Sequence, residues 1–115
     1  MNRGDVVRVD LPQPTGKPGR EQFGERPAVI IQVGKATANL ATVVVVPFTS
    51  NKKSLNFFGS VLVAATALNG LDCDSIALIQ QLRTIDKNRI RRTVGKLSAD
   101  DLSKIEAVVR ELLRL

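Results

Sequence analysis

Residues 4–11 read GDVVRVDL, in which Val7, Val9 and Leu11 alternate with Arg8 and Asp10. A period of two puts the apolar side chains on one face and the charged ones on the other, the pattern of a half-buried strand. The β-branched runs at 28–33 (AVIIQV) and 42–48 (TVVVVPF) read as buried strands. Pro47 lacks an N–H, so it suits a sheet edge or a strand exit. Residues 57–65 give a fourth strand, and Asn69-Gly70 a turn. Two short strands follow around a bend at 75–79 and 82–85, and another spans 90–97. Ser98 then caps a helix, with Asp101 at the capping-box position and Asp100 favourable to the helix dipole. Leu102, Ile105, Val109 and Leu112 recur at helical spacing and form its buried stripe. Val108 and Leu113 fall beside that stripe, which fits either deep packing or a second face for a partner copy. No helix is read between the strands, so parallel βαβ topology is disfavoured. The expected fold is mainly β with α: a small antiparallel barrel or curled sheet with the C-terminal helix packed across an opening.

The 115 residues fit one domain, 1–115, and 43% hydrophobic with 24% charged residues argues against disorder. The single cysteine, Cys73, excludes an intrachain disulfide and favours a reducing compartment. The chain has no histidine, which removes histidine bases, histidine triads and most zinc sites. No apolar stretch is long enough to span a bilayer, and the start, MNRGD, has no hydrophobic leader. The expected location is the cytoplasm. The net charge of +6 is concentrated. Residues 83–97 hold Arg83, Lys87, Arg89, Arg91, Arg92 and Lys96 against Asp86 alone, while the rest of the chain is nearly balanced. Such a cluster suits a polyanion or, equally, a solvated strand face. Four phenylalanines and no Trp or Tyr leave no broad base-stacking platform.

Nucleotide-binding glycine loops, paired cysteines and nucleophile elbows are missing from the sequence. Asp72 and Asp74 fit turn formation better than cation binding, and Cys73 lacks a histidine to activate it. What stands out are polar groups where strands meet loops. The Gly/Pro-rich loop at 12–24 ends in GREQFGERP (19–27), which carries Arg20, Glu21, Glu25 and Arg26. PFTS (47–50) presents Thr49 and Ser50 at the start of a polar loop, TSNKKSLN (49–56). QQLRTIDKNRI (80–90) opens with Gln80 and Gln81. Together these read as a binding rim.

Five stretches, in this order, resemble the MazF/PemK/Kid family of toxin endoribonucleases from bacterial toxin–antitoxin pairs. They are RGDVVRVDL (3–11), GREQFGERPAVII (19–31), VVPFTS (45–50), DSIALIQQLRTIDKNRI (74–90) and GKLS (95–98) leading into the helix. QLRTIDKNRI is the most specific of them. The resemblance implies an SH3-like (PemK/CcdB-like) barrel that acts as a homodimer and cuts single-stranded RNA with no metal and no cofactor. The ribose 2′-OH attacks the adjacent phosphorus, leaving a 2′,3′-cyclic phosphate and a 5′-OH.

By the same resemblance Arg26 holds the scissile phosphate and Thr49 donates a hydrogen bond to it. A guanidinium keeps its proton at neutral pH, so the base falls to another group, and the resemblance points to Glu21. Gln81 would read or hold RNA. Arg83, Lys52 and Lys53 would meet phosphates, with Ser50 and Arg20 beside them on the rim. The implied partners are single-stranded RNA and a cognate antitoxin with an acidic, disordered tail. Two other readings remain. One is a non-catalytic toxin of the same fold that acts on DNA gyrase through a Trp-bearing C-terminal tail, whereas this chain has no Trp and ends in RELLRL. The other is a plain nucleic-acid-binding barrel.

Overall fold

The computed structural model describes residues 1–12 and 24–115. Glu21, Arg20 and most of the Gly/Pro loop lie outside the described residues. Among the described residues, seven strands form one antiparallel system: β1 (Asp5–Leu11), β2 (Gly24–Ile30), β3 (Thr42–Thr49), β4 (Ser60–Val63), β5 (Ser75–Leu78), β6 (Arg83–Asp86) and β7 (Ile90–Lys96). Helix α1 (Gly34–Asn39) links β2 to β3, and α2 (Ala99–Leu113) closes the chain. The strand order is β4-β5-β3-β2-β1-β7, with β6 also paired to β3.

Consecutive strand residues face opposite ways, and β1 is buried on both sides. Val6 joins a cluster with Val29, Val46, Phe48, Ala77 and Ile105, while Val7, Val9 and Leu11 join a second with Ala28, Ile30 and Val43. The alternation in GDVVRVDL therefore marks one core correctly and misses the other, which Val6 reaches from the opposite face. The helical stripe behaves as its spacing predicts. Ile105 is fully buried, and Leu102, Val109 and Leu112 pack against the first cluster. Val108 packs there too, so deep packing accounts for it, whereas Leu113 stays exposed.

Three expectations need correction. The second strand begins at Gly24, not at 28, because residues 24–27 pair with Leu11 back to Arg8 along β1. Arg26 and Pro27 thus belong to the sheet and not to the preceding loop. A helix does lie between strands: α1 is only six residues long and closes an antiparallel β2–β3 connection, so no parallel crossover arises. It is pinned by Thr37, whose hydroxyl donates to the Val33 carbonyl at 3.2 Å and accepts from Gln32 at 3.2 Å. Finally, β3 is an interior strand, not an edge. On one side Thr42–Val45 pair with β6 and Phe48–Thr49 with β5. Pro47 falls in the seam between those two partners, where a missing N–H breaks no ladder bond on that side.

The fourth strand is shorter than its apolar run, because Gly59 (φ +87°) turns the chain just before Ser60. At the start of α2, Ser98 Oγ accepts from the Asp101 N–H at 3.2 Å, and Asp100 and Asp101 occupy the first turn. Ser98→Ala is expected to cost about 1 kcal/mol of stability, read as a lower urea midpoint at unchanged slope.

Candidate functional site

A cleft of about 190 Å³ opens where β1, β2 and β7 meet the end of β3. Its floor is built from Arg8, Glu25, Arg26, Pro27, Arg92 and Val94. Its walls are Phe48 to Ser50 on one side and Gly70 to Cys73 on the other.

The second wall is held unusually close to β7. An added Cβ on Gly70 would lie 2.3 Å from the Val94 carbonyl oxygen, and one on Gly95 would lie 2.3 Å from that of Leu68. The Lys96 N–H donates to the Leu68 carbonyl at 3.0 Å. The buried Asn69 organises the loop from within. Its Oδ1 accepts from the N–H groups of Thr66 and Leu71, both at 3.0 Å, and its Nδ2 donates to the Ala64 carbonyl at 2.9 Å. Asp74 closes the same loop by accepting from the Ala65 N–H at 2.8 Å, so it serves turn formation as its sequence context suggests. Asp72 and the free, exposed Cys73 remain on the cleft wall.

Among the described residues the lining carries three guanidinium groups, Arg8, Arg26 and Arg92, and two carboxylates, Glu25 and Asp72. Arg8 Nε lies 3.4 Å from Glu25 Oε1, a long and half-solvated pair. The local excess is positive, and confinement in a cleft focuses the field such charges exert there.

Of the residues singled out from sequence, Arg26, Thr49 and Ser50 come together here although 23 positions separate Arg26 from Thr49. Arg26 is half-buried in β2, opposite Val9. Thr49 is 8% exposed, and its hydroxyl accepts from the Asn51 N–H at 3.2 Å. That bond fixes the hydroxyl while leaving its proton to donate. A planar guanidinium with a neighbouring hydroxyl donor is a set suited to a phosphate and to the extra negative charge a phosphorane develops.

The other candidates lie outside this lining. Lys52 and Lys53 are exposed on the 3-10 turn at Lys52–Asn56, and Lys52 Nζ donates to the Asp74 carbonyl at 3.1 Å. Gln81 ends a second 3-10 turn and Arg83 opens β6 opposite Val45. Glu21 and Arg20 fall outside the described residues. Glu25, part of the rim read from sequence, lines the cleft too, whereas Arg8 and Arg92 line it without having been singled out as site residues. Arg8 was visible as an outward residue of β1, and Arg92 as one of six basic residues in its segment, but nothing linear joins them.

Comparisons with known proteins agree on one family. A family model described as PemK-like, MazF-like toxin of type II toxin–antitoxin system matches residues 2–113. The chain is 32% identical over 115 residues to endoribonuclease MazF9 of Mycobacterium tuberculosis, covering 96% of this chain and 93% of that one. It is 33% identical over 109 residues to endoribonuclease MazF of Staphylococcus saprophyticus, covering 95% and 88%. Its fold resembles a crystal structure of MazF from Deinococcus radiodurans, with TM-score 0.81, 22% identity, and coverage of 100% of this chain and 97% of that one. It also resembles a mycobacterial endoribonuclease solved with its cognate antitoxin, with TM-score 0.76, 20% identity, and coverage of 100% and 96%.

Proposed function

Because the chain belongs to the PemK-like, MazF-like toxin family, we propose that it is an endoribonuclease toxin that cuts single-stranded RNA at a short preferred sequence. The observation that carries the reading is the meeting of Arg26 and Thr49 in one cationic cleft. In the reaction the ribose 2′-OH gives up its proton, its oxygen bonds to phosphorus, and the bond from phosphorus to the 5′-oxygen breaks. That oxygen then takes a proton. Arg26 holds the phosphate through two parallel N–H donors and stabilises the charge added at the phosphorane. Thr49 donates to the same group. Glu21 is the proposed base. Ser50 lies beside them, and Arg20, Gln81, Arg83, Lys52 and Lys53 extend RNA contact beyond the cleft.

The toxin works in the cytoplasm and is neutralised by a cognate antitoxin whose acidic, disordered tail covers the cationic cleft. It acts as a homodimer, a state supported by Leu113 and Leu115, which stand 52% and 83% exposed at the end of α2. Among the described residues no helix is long and apolar enough to cross a membrane.

The test is to incubate the purified protein with a sequence-diverse set of single-stranded RNAs in EDTA and analyse the product ends. The expected result is cutting at one short recurring sequence, leaving 2′,3′-cyclic phosphate and 5′-OH termini. RNA that is bound but never cut would leave a binding barrel, and RNA that is neither bound nor cut would turn attention to gyrase.

A further inference from the structure

Across β1 and β7, Arg8 lies directly opposite Arg92. Like charges in that relation repel and weaken a sheet. The two cations that precede Arg92 in the chain, Arg89 and Arg91, share one carboxylate. Asp10 takes Arg91 at 2.9 Å and Arg89 at 3.8 Å. Glu25 is the carboxylate left near Arg8, at 3.4 Å and with its side chain 55% exposed. Among the described residues, no carboxylate lies within 4.0 Å of Arg92.

The register of β7 maintains this opposition. It slips by one residue on each side of the pair, at Arg91 and at Val94. Without the slip at Arg91, that residue would stand opposite Val9 and face the second core cluster. With it, Ile90 takes the place opposite Val9 and packs on that cluster, and Arg91 turns out to Asp10. Arg92 is left beside Arg8 in the lining of the cleft. Bulges of this kind re-aim side chains, and they gather next to functional sites.

We infer that Arg8 and Arg92 form a second phosphate subsite, which clamps a backbone phosphate of the RNA next to the one held by Arg26 and Thr49. A shared anion relieves the repulsion between the two guanidinium groups, and both groups line the cleft that holds the proposed reaction centre. The subsite carries no base identity, so it adds affinity and fixes the register of the strand without reading sequence. The inference rests on the ribonuclease reading.

The test uses an RNA oligonucleotide containing a mapped cut site, with a 2′-deoxy sugar at the scissile position so that it binds without being cut. Affinity is read by fluorescence anisotropy across a salt series for the wild type, Arg8→Gln, Arg92→Gln and Lys104→Gln. Lys104 is exposed on α2 and controls for the loss of one positive charge. Arg92→Gln is expected to bind about tenfold more weakly. Its log–log salt slope should be shallower by about 0.7, the contribution of one single-strand phosphate. Arg8→Gln should behave alike, and Lys104→Gln should match the wild type. A neutral methylphosphonate at the flanking phosphate should weaken the wild type by the same factor and leave Arg92→Gln indifferent.

On cleavable RNA, KM should rise while kcat stays within about threefold. Thermal unfolding of Arg92→Gln should come no earlier than in the wild type, because one of two opposed like charges is gone. An Arg92→Gln protein with unchanged affinity and slope, or one that merely unfolds earlier, overturns the subsite. If that happens while the wild type still cuts, the ribonuclease reading survives. A wild type that binds no RNA sinks both.

Discussion

Arg26→Ala is expected to lower kcat for RNA cleavage by at least about 10³-fold while the protein remains folded. Removing one preorganised donor from a developing oxyanion costs 10²–10³, and removing an arginine that stabilises phosphoryl charge costs 10³–10⁵. Folding is not at stake to the same degree, because Arg26 is half-buried at the cleft and belongs to neither core cluster. Arg26→Lys separates charge from geometry. It keeps a cation in place but loses the planar fork, so its rate should fall between the wild type and the alanine variant. Single-turnover cleavage with saturating enzyme gives the chemical step directly. If Arg26→Ala binds RNA weakly but cuts at the wild-type rate once saturated, Arg26 is a binding residue and the reaction centre lies elsewhere.

The antiparallel fold and the terminal helix were legible because their signals are local. Alternation in β1, β-branched runs in β2 and β3, and Ser98 ahead of a spaced apolar stripe each lie within a dozen residues. What misled was context that only pairing supplies. Gly24 to Pro27 looks like loop, yet β1 offers it a ladder, and Pro47 looks like an edge residue until the seam between β5 and β6 is seen. The site divides in the same way. Arg26, Thr49 and Ser50 were named through motif resemblance, and the fold brings them to one cleft. Arg92 was hidden, since its place depends on two register slips that leave no mark in a run of basic residues. The charge cluster itself proved mixed: Arg91 pairs with Asp10, Arg89 stands at the edge of the same carboxylate, and Arg92 lines the cleft.

Gly70→Ala is expected to be among the most destabilising small substitutions in the chain, at about 2–5 kcal/mol. Two causes add. Gly70 sits at φ +68°, where an L side chain is strained by about 1–2 kcal/mol. Its new Cβ would also lie 2.3 Å from the Val94 carbonyl oxygen and 2.8 Å from the carbonyl carbon. Those atoms are backbone of a paired strand, so relief requires moving either β7 or the loop. The loop is held in turn by Asn69 and by its approach to Gly95. Gly24 is the built-in control. It has φ +83° and, among the described residues, nothing within 4 Å of an added Cβ, so Gly24→Ala should cost only the dihedral part, about 1–2 kcal/mol. Urea unfolding of both variants separates the two contributions. If Gly70→Ala is no worse than Gly24→Ala, the loop yields freely and cannot be a fixed wall. If the difference stands, the variant should also cut RNA more slowly at temperatures where it is fully folded. The same displacement that relieves Val94 draws Asp72 and Cys73 away from the floor that carries Arg26.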